Sequence, residues 1–379
     1  MRNESFHLGN HAVNSHKSLQ ATLVKFTINF FKFVQTMAKP SKLRDLTRTV
    51  TRDVIQHPDD LTRHYADRCG ISRAAAAKYI LQLEKQGWIA RSGPLRRPIF
   101  SPGYNRKVSG RYALDQLQED LVWDNDFRPF FHFSPNVLSI VGHGFTEILN
   151  NAIDHSEGTE VLVFARQYEN YFSLIISDNG IGIFSKITQE LGLADMRQAL
   201  FELSKGKLTT DPSKHTGEGV FFTSRMFDTF EISANGLKFN HDDNFNFDLL
   251  DESKETTLNG TTVFMSIALD STRTTTEIYD QYTNAPEDFD FSKTVVPMKL
   301  ARFGDEQLVS RSQAKRLISR FERFKTVILD FSGINEIGQA FADELFRVYG
   351  NAHPSVELLP TNMTEQVEKM WLRAVAPKA

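Results

Sequence analysis

The chain has 379 residues, of which 40% are hydrophobic and 24% are charged, and its formal net charge is −3. This composition is that of an ordinary globular protein, and the length suffices for two or three domains with separate cores. The single cysteine, Cys69, excludes an intrachain disulfide and a cysteine-based zinc site, and no stretch reaches about 18 uninterrupted apolar residues, so we expect a cytoplasmic protein without a membrane partner.

The first segment, residues 1–37, receives no assignment. Its apolar stretch "TLVKFTINFFKFVQ" is interrupted by Lys25, Asn29 and Lys32 at helical spacing, which suits a surface or partner helix better than a signal peptide. The next segment, 38–110, is basic, with 15 Lys/Arg against 6 Asp/Glu, whereas the chain beyond it is acidic. A basic module on an acidic body predicts an anionic partner, nucleic acid first.

The basic segment contains "DLTRHYADRCGISRAAAAKYILQLEKQGWIARSG" (60–93), which predicts a helix, a tight turn, a second helix and a strand. Gly70 suits the turn and Ser72 suits the start of the second helix. This order resembles the winged helix-turn-helix of bacterial regulators, whose second helix enters the major groove of DNA. The resemblance implies DNA contacts from Ser72, Arg73, Lys78, Arg91, Arg96 and Arg97. A winged helix that binds only protein is the alternative, because the alanines at 74–77 offer few base-reading groups.

The central segment, 111–270, begins its pattern with "FTEILNNAIDHSEGTEV" (145–161), a predicted amphipathic helix that leads to a strand. Its polar face gathers Glu147, Asn151, Asp154 and His155, with no lysine or arginine among them. A solvated helix face is the simplest interpretation of this stretch alone.

Three glycine motifs follow in order. "DNGIG" (178–182) ends a predicted strand, "TGEG" (216–219) precedes a helix, and "GT" (260–261) precedes an apolar strand. Glycines at these places let the backbone approach a flat ligand or turn its N–H groups toward a phosphate. About 35 residues, Ile183 to Thr216, separate the first two motifs and are long enough for a mobile lid.

The order ExxxN, DxGxG, GxG and GT resembles the Bergerat-type (GHKL, HATPase_c) ATP-binding fold of gyrase, heat-shock chaperone ATPases, mismatch-repair proteins and histidine kinases. The resemblance implies that Glu147 acts as the catalytic base, that Asn151 binds Mg²⁺ and that Asp178 accepts from the adenine amino group. The remaining positions implied for ATP binding are Gly180, Gly182, Thr216, Gly217, Gly219 and Thr261. Asp154 is either a ribose-side group or a surface carboxylate, and His155 is expected to be structural.

The branch of this superfamily is indicated by the flanking residues. No His-Glu followed by proline precedes the helix, whereas "TGEGVFFTSRMFDTF" is similar to the phosphate loop of anti-sigma-factor serine kinases. Glu218 departs from that pattern, because a carboxylate close to a triphosphate is unfavourable unless it points away.

The last two segments are a predicted linker, 271–292, and an alternating β/α pattern, 293–379, which predicts a mostly parallel sheet. "FSGINEIGQAFADELF" resembles a STAS-like (DUF4325-type) domain of the kind found beside such ATPases. The phospho-accepting Asp-Ser pair of the antagonists is replaced by Gly338-Gln339-Ala340, so the resemblance implies a protein-docking surface at 335–343 rather than phosphorylation in cis. A structural, dimer-forming domain is an equal alternative.

We therefore expect a multidomain α+β and α/β protein with a winged helix, a Bergerat-type α/β sandwich and a STAS-like unit. The leading hypothesis is an intracellular regulator in which Mg-ATP switches a DNA-binding module and a protein-binding module. The alternatives are a serine/threonine protein kinase acting on another chain and a binding module with a degenerate nucleotide site.

Overall fold

The computed structural model describes residues 42–94, 96–208, 217–242, 247–252, 259–283, 290–302 and 307–376. Residues 1–37, which receive no assignment, and Thr216, which is expected to bind ATP, therefore lie outside the described residues. Helices and sheets alternate in three units, so the chain is a mixed α and β protein of several domains. Within the described ranges, no helix combines the length and the apolar character needed to cross a bilayer.

From residue 42 to residue 102, the described part of the N-terminal unit contains three helices and a two-stranded antiparallel hairpin. These are α1 (Lys42–Gln56), α2 (Leu61–Cys69), α3 (Arg73–Lys85), β1 (Ile89–Ser92) and β2 (Ile99–Pro102). Gly70 ends α2 with a φ of +60°, and the Ser72 hydroxyl accepts from the Ala75 N–H at 3.2 Å to begin α3. Ala66, Ile80 and Leu83 are buried in a core that is separate from the rest of the molecule.

The described residues of the central unit form a seven-stranded antiparallel sheet. Its strands are β3 (Arg106–Ala113), β4 (Glu160–Gln167), β5 (Tyr171–Asp178), β6 (Thr229–Ala234), β7 (Leu237–Asp242), β8 (Phe247–Glu252) and β9 (Thr261–Ala268). Across the sheet they lie in the order β3-β4-β5-β9-β6-β7-β8. Period-2 burial fixes the faces, because Phe172, Leu174 and Ile176 point into the main core. Phe164, Ile175 and Phe264 lie side by side on the opposite face as a small separate cluster.

The helices of the central unit pack on the inner face of the sheet. They are α4 (Pro135–His155), α5 (Ile183–Leu191), α6 (Met196–Lys205) and α7 (Gly219–Met226). A short helical run at Glu119–Leu121, Val122–Phe127 and Arg128–Phe130 leads into α4. Of the apolar stripe that helical spacing predicts for α4, Phe145, Ile148, Leu149 and Ala152 are buried, and Ile153 is partly buried against the same core. Gly144 allows close packing, because a Cβ there would meet the Phe227 ring at 2.5 Å.

The C-terminal unit is a three-stranded parallel sheet with helices, as the alternating pattern predicts. After α8 (Thr275–Gln281), its elements are β10 (Lys293–Pro297), α9 (Arg311–Ile318), β11 (Thr326–Asp330), α10 (Gln339–Ala342), β12 (Glu357–Thr361) and α11 (Glu365–Val375). Helix α10 continues through Asp343–Tyr349 to Gly350–Ala352, and short turns lie at Met298–Ala301 and Phe321–Arg323.

Two features differ from the segmentation expected from the sequence. Strand β3 starts at Arg106 and pairs with β4 along its whole length, so the end of segment 38–110 belongs to the central sheet. The segment expected to be a linker contains α8, whose capping box joins Thr274 and Glu277. Helix α8 forms because it is capped at its start and because Ile278 is buried against the central core.

Candidate functional site

A cavity of about 310 Å³ lies between α4, the inner face of the sheet and helices α5 to α7. This volume is at the lower end of the range typical of small-molecule sites, about 300–1,000 Å³. Six of the nine residues implied for ATP binding or catalysis line it together: Glu147, Asn151, Asp178, Gly217, Gly219 and Thr261. They come from four separate parts of the chain, and only the fold brings them together.

Asp178 is the polar group at the floor of the cavity. It ends β5 and is only 8% exposed. Its Oδ1 accepts from the N–H of Gly180 at 2.8 Å and from the N–H of Thr261 at 3.1 Å. Burial raises the pKa of the Asp178 carboxyl above its usual value, although these backbone hydrogen bonds oppose the shift. Thr261 Oγ1 in turn accepts from the Ile183 N–H at 2.9 Å, which fixes the start of α5.

Glycine is required at two positions around Asp178. A Cβ at Gly180 would lie 2.0 Å from the Ser156 carbonyl oxygen, and a Cβ at Gly260 would lie 2.1 Å from the Asp178 carbonyl oxygen. Neither backbone neighbour can move aside cheaply. Gly180 and Gly182 do not line the cavity; Gly182, with a φ of +86°, packs against the Asn235 amide instead. Both glycines therefore shape the strand end behind the cavity.

The polar stripe of α4 divides between the cavity and solvent. Glu147, Asn151 and His155 line the cavity, whereas Asp154 is exposed and is not among the lining residues. Asn151 carries an Nδ2 atom that is buried and has no hydrogen-bond partner within the described structure. Because a buried amide without a partner costs about 1–3 kcal/mol, this atom marks a place where a ligand or water would be stabilised.

Glu147 lies against the start of α7. A Cβ at Gly219 would come within 1.9 Å of Glu147 Oε2, so only glycine lets the helix start approach this carboxylate. Glu218 occupies the N-cap position of the same helix without a side-chain capping hydrogen bond, and it is not among the residues that line the cavity. Burial, followed by the charges of Glu147 and Glu218, raises the pKa of the Tyr279 phenol on α8.

Gly217 is joined to the end of the α6 segment. The Leu208 N–H donates to the Gly217 carbonyl at 3.0 Å, and a Cβ at Gly217, whose φ is +74°, would lie 2.4 Å from the Leu208 carbonyl carbon. Both residues line the cavity. Of the segment expected to act as a lid, residues 183–208 are described and 209–216 are outside the described residues.

Several lining residues were missed from the sequence, and Lys186 is the most informative of them. It is the one lysine or arginine among the described residues that line the cavity. Its Nζ contacts Glu157 Oε1 at 2.5 Å and Glu190 Oε1 at 3.0 Å, which raises its pKa. The signal in the sequence is its position four residues after Gly182, on the first turn of α5. Burial also lowers the pKa of His143, one turn before Glu147, which favours its neutral form.

The basic residues of the N-terminal unit form a separate surface. Ser72, Arg73 and Lys78 are exposed on α3, and Arg96 and Arg97 are exposed in the hairpin turn. Arg91 differs, because it is half-buried, lies 2.5 Å from Glu84 Oε2 and covers the Phe100 ring at 5.7 Å. The sequence alone gave no sign that Arg91 is held within the unit.

The C-terminal stretch 335–343 presents exposed Asn335, Glu336, Gln339 and Ala340, while Ile337 and Phe341 are buried. Ser332 is exposed at the end of β11, and its hydroxyl donates to Asp330 Oδ1 at 2.7 Å.

The fold and the cavity define a multidomain α and β protein with a ligand-sized site in its central unit. Residues 313–368 match the family model of a STAS-like domain of unknown function, DUF4325, so the C-terminal unit carries a STAS-like domain. The match lies outside the cavity. No curated protein matches the chain.

Proposed function

We propose that the protein is a Bergerat-type ATP-binding regulator, in which Mg-ATP in the central cavity switches a DNA-binding winged helix and the STAS-like domain. The observation that carries the proposal is the convergence on one cavity of Glu147, the unpartnered Asn151 amide and the buried Asp178 carboxylate. A merely solvated helix face would have placed the polar stripe of α4 in water.

The lining residues fit a purine nucleotide. The Asp178 carboxylate suits the amino group of adenine, and Ile148, Ile176, Ile183 and Ile187 supply apolar surface for its ring. At the other end, the N–H groups at the start of α7 and the backbone of Gly217 suit phosphate oxygens. Adenine would thus lie near the sheet and phosphates near α7.

Magnesium would be held by Asn151 together with phosphate oxygens and water. In the described part of the chain, no group of three His, Cys, Asp or Glu residues is arranged to hold a metal ion. The described residues therefore do not form a metal site made only of protein side chains of these types. Mg²⁺ usually keeps several waters and takes few protein ligands, which suits a single amide oxygen. When bound, it would neutralise charge on the phosphates.

Glu147 is the candidate base in this proposal. Its carboxylate lies beside the start of α7, where the terminal phosphate would be placed. It would orient and deprotonate a water or a partner's hydroxyl. The second candidate function, a serine/threonine protein kinase, uses the same residue and differs only in the acceptor of the phosphate.

The N-terminal unit would bind DNA through its exposed cations. Ser72 is used to cap α3, which leaves Arg73 and Lys78 on the exposed face and Arg96 and Arg97 on the wing. These groups suit phosphate contacts that set position on the duplex. Arg91, paired with Glu84, would support the wing.

The first experiment measures turnover of γ-labelled Mg-ATP by the purified chain and by Glu147→Ala, with Glu169→Ala, an exposed carboxylate between β4 and β5, as the matched control. We expect Glu147→Ala to lose about 10²–10⁴-fold in rate while Glu169→Ala is unchanged. Release of labelled phosphate by the purified chain supports the switch, whereas Mg-ATP binding without release supports a kinase that needs a separate protein acceptor. Wild-type protein that neither binds nor turns over Mg-ATP would refute the proposal.

A further inference from the structure

The C-terminal unit contacts the central unit at the end of α6, and this contact is built around a buried carboxylate. Lys205 is 0% exposed, and its Nζ lies 2.7 Å from Glu202 Oε1. The other oxygen, Glu202 Oε2, lies 2.9 Å from Arg320 Nη1 of the C-terminal unit. Glu202 therefore bridges two cations, one from each unit.

Arg320 also binds the backbone with which α6 ends. Its Nη2 donates to the carbonyl oxygens of Gly206, at 2.9 Å, and Lys207. The last carbonyls of a helix have no partners within it, and a cation near them also complements the helix dipole. Arg323 adds a second donor to the Lys207 carbonyl at 2.8 Å. Gly206 and Lys207 directly follow α6, and Arg320 Nη1 also donates to the Glu202 carbonyl in its last turn at 3.4 Å, so a residue of the C-terminal unit holds the end of the helix.

The neighbouring contacts make this attachment reciprocal. Lys205 Nζ donates to the Ser319 carbonyl at 2.8 Å, and the Thr294 hydroxyl of β10 donates to the Lys205 carbonyl at 2.7 Å. Arg320 itself holds a left-handed conformation, with a φ of +68°. A non-glycine residue adopts this region only when its surroundings favour it, and here the guanidinium contacts do so.

The attached segment reaches the cavity within one residue. Lys207 is followed by Leu208, which lines the cavity and donates its N–H to Gly217. On the far side of Gly217, the Phe221 ring lies 4.7 Å from Phe291, and Phe291 lies 5.4 Å from Phe324 of the C-terminal unit. The segment that ends at Leu208 therefore contacts the C-terminal unit directly, and the segment that follows Gly217 reaches it through Phe291.

We propose that Arg320, in the STAS-like unit, is a positioning residue for the nucleotide site, holding Gly206 to Leu208 so that Leu208 and Gly217 form one wall of the cavity. This inference rests on the proposed nucleotide function and adds its regulation. Coupling between two sites is reciprocal, so a ligand of the STAS-like unit that moves Arg320 and thereby changes nucleotide affinity has its own affinity changed by nucleotide by the same factor.

The test compares wild type, Arg320→Ala, Arg320→Lys and Arg373→Ala, the last being an exposed arginine on α11 of the same unit. The first readout is amide hydrogen exchange at Lys205 to Leu208 without nucleotide, with exchange in β10 to β12 as the monitor of folding. The second is the dissociation constant for Mg-ATP. We expect Arg320→Ala to raise exchange and to weaken Mg-ATP binding, each by about tenfold, with partial rescue by lysine and no effect of Arg373→Ala.

The outcomes separate the inference from the function on which it rests. In one outcome, wild type binds Mg-ATP, Arg320→Ala binds it with the same dissociation constant, and β10 to β12 stay protected from amide exchange. This outcome overturns the inference and leaves the function intact. A wild-type chain that does not bind Mg-ATP refutes the function, and unchanged exchange at Lys205 to Leu208 then also overturns the role of Arg320. If Arg320→Ala fails to fold, Arg323→Ala, which removes the second donor to Lys207, supplies the same comparison.

Discussion

Asp178 illustrates the conflict between stability and binding at a single residue. Its carboxyl is buried, and burial raises its pKa, so the folded chain favours the neutral acid more than the unfolded chain does. The stabilisation from this group is complete below its usual pKa of 3.8 and is lost as pH rises through the higher folded value. At neutral pH the ionised carboxylate is therefore a cost to folding.

We compare the free energy of unfolding of Asp178→Asn with that of wild type at two pH values. The difference should favour the variant more at neutral pH than below pH 3.8, because only at neutral pH does the substitution remove an ionised buried group. We expect the same change to weaken Mg-ATP binding by at least about tenfold, since an amide replaces the charged acceptor. Thermal unfolding at several pH values and a nucleotide titration check both parts.

Asp154→Asn is the control for this substitution, because Asp154 is an exposed carboxylate on the same stripe that does not line the cavity. It should leave nucleotide affinity unchanged. Asp178→Asn with wild-type affinity would contradict the assignment of Asp178 to the adenine, whatever its effect on stability.

At the scale of elements, the end of α6 depends on a shared buried carboxylate. Glu202→Gln leaves Lys205 and Arg320 buried without their counter-charge, and we expect a loss of about 3–5 kcal/mol in the free energy of unfolding. Lys205→Met leaves the Glu202–Arg320 pair in place and should cost less, about 1–2 kcal/mol. Denaturant unfolding of the two variants measures the difference. Equal losses of unfolding free energy would contradict the expectation that Glu202, which pairs with two cations, matters more than Lys205.

The pH dependence of the same pair has a definite sign. Burial lowers the pKa of Lys205 to about 8 from its usual 10.5. Between these values the unfolded chain binds more protons than the folded chain, so stability rises with pH across that window. The advantage of wild type over Lys205→Met should therefore grow from pH 8 to pH 10.5.

The elements differ in how far the sequence could predict them. Helix α4 and its polar stripe follow from local spacing, because residues three or four apart share a face in any helix. The Arg320–Glu202 contact could not be predicted, since its partners lie 118 residues apart and Lys205 sits in a stretch typical of a solvated helix end. The start of helix α8 could have been predicted from the sequence, because Thr274 and Glu277 have the spacing of a capping box.

For the site, the sequence could supply residue types but not their distances. Gly219 beside a phosphate loop was expected, yet its approach to Glu147 follows from how α7 packs on α4. Asn151 was expected as a ligand residue, but its unpartnered Nδ2 is visible only once its surroundings are known. Tertiary contacts of this kind carry no local signature.

At the scale of the whole molecule, the N-terminal unit is fixed to the central sheet. The Thr51 hydroxyl of α1 accepts from the Lys107 N–H of β3 at 2.9 Å, and Arg52 donates to the Asp126 carbonyl at 3.3 Å. Arg166 of β4 covers the Trp88 ring at 5.4 Å. Helix α1 and Trp88 therefore contact the sheet that carries the cavity and its neighbouring segment, and these contacts hold the N-terminal unit with its exposed cations against the central unit.

These exposed cations give a prediction for DNA binding. Each phosphate contact contributes about 0.9 to the slope of log K against log salt concentration. The double variant Arg96→Ala/Arg97→Ala should therefore reduce the slope by about 2 for any short duplex, because both side chains are exposed on the wing. Titrations of a labelled duplex at several salt concentrations measure it.

Arg91→Ala separates phosphate contact from structural support. Arg91 has the same charge and lies in the same hairpin, but it is paired with Glu84 and packed on Phe100. Arg91→Ala should lower the melting temperature of the N-terminal unit. It should leave the slope of log K against log salt concentration unchanged, since the Arg91 side chain reaches no phosphate. A slope that falls by about 1 in Arg91→Ala, or that stays constant in Arg96→Ala/Arg97→Ala, would mean that DNA is bound elsewhere or not at all.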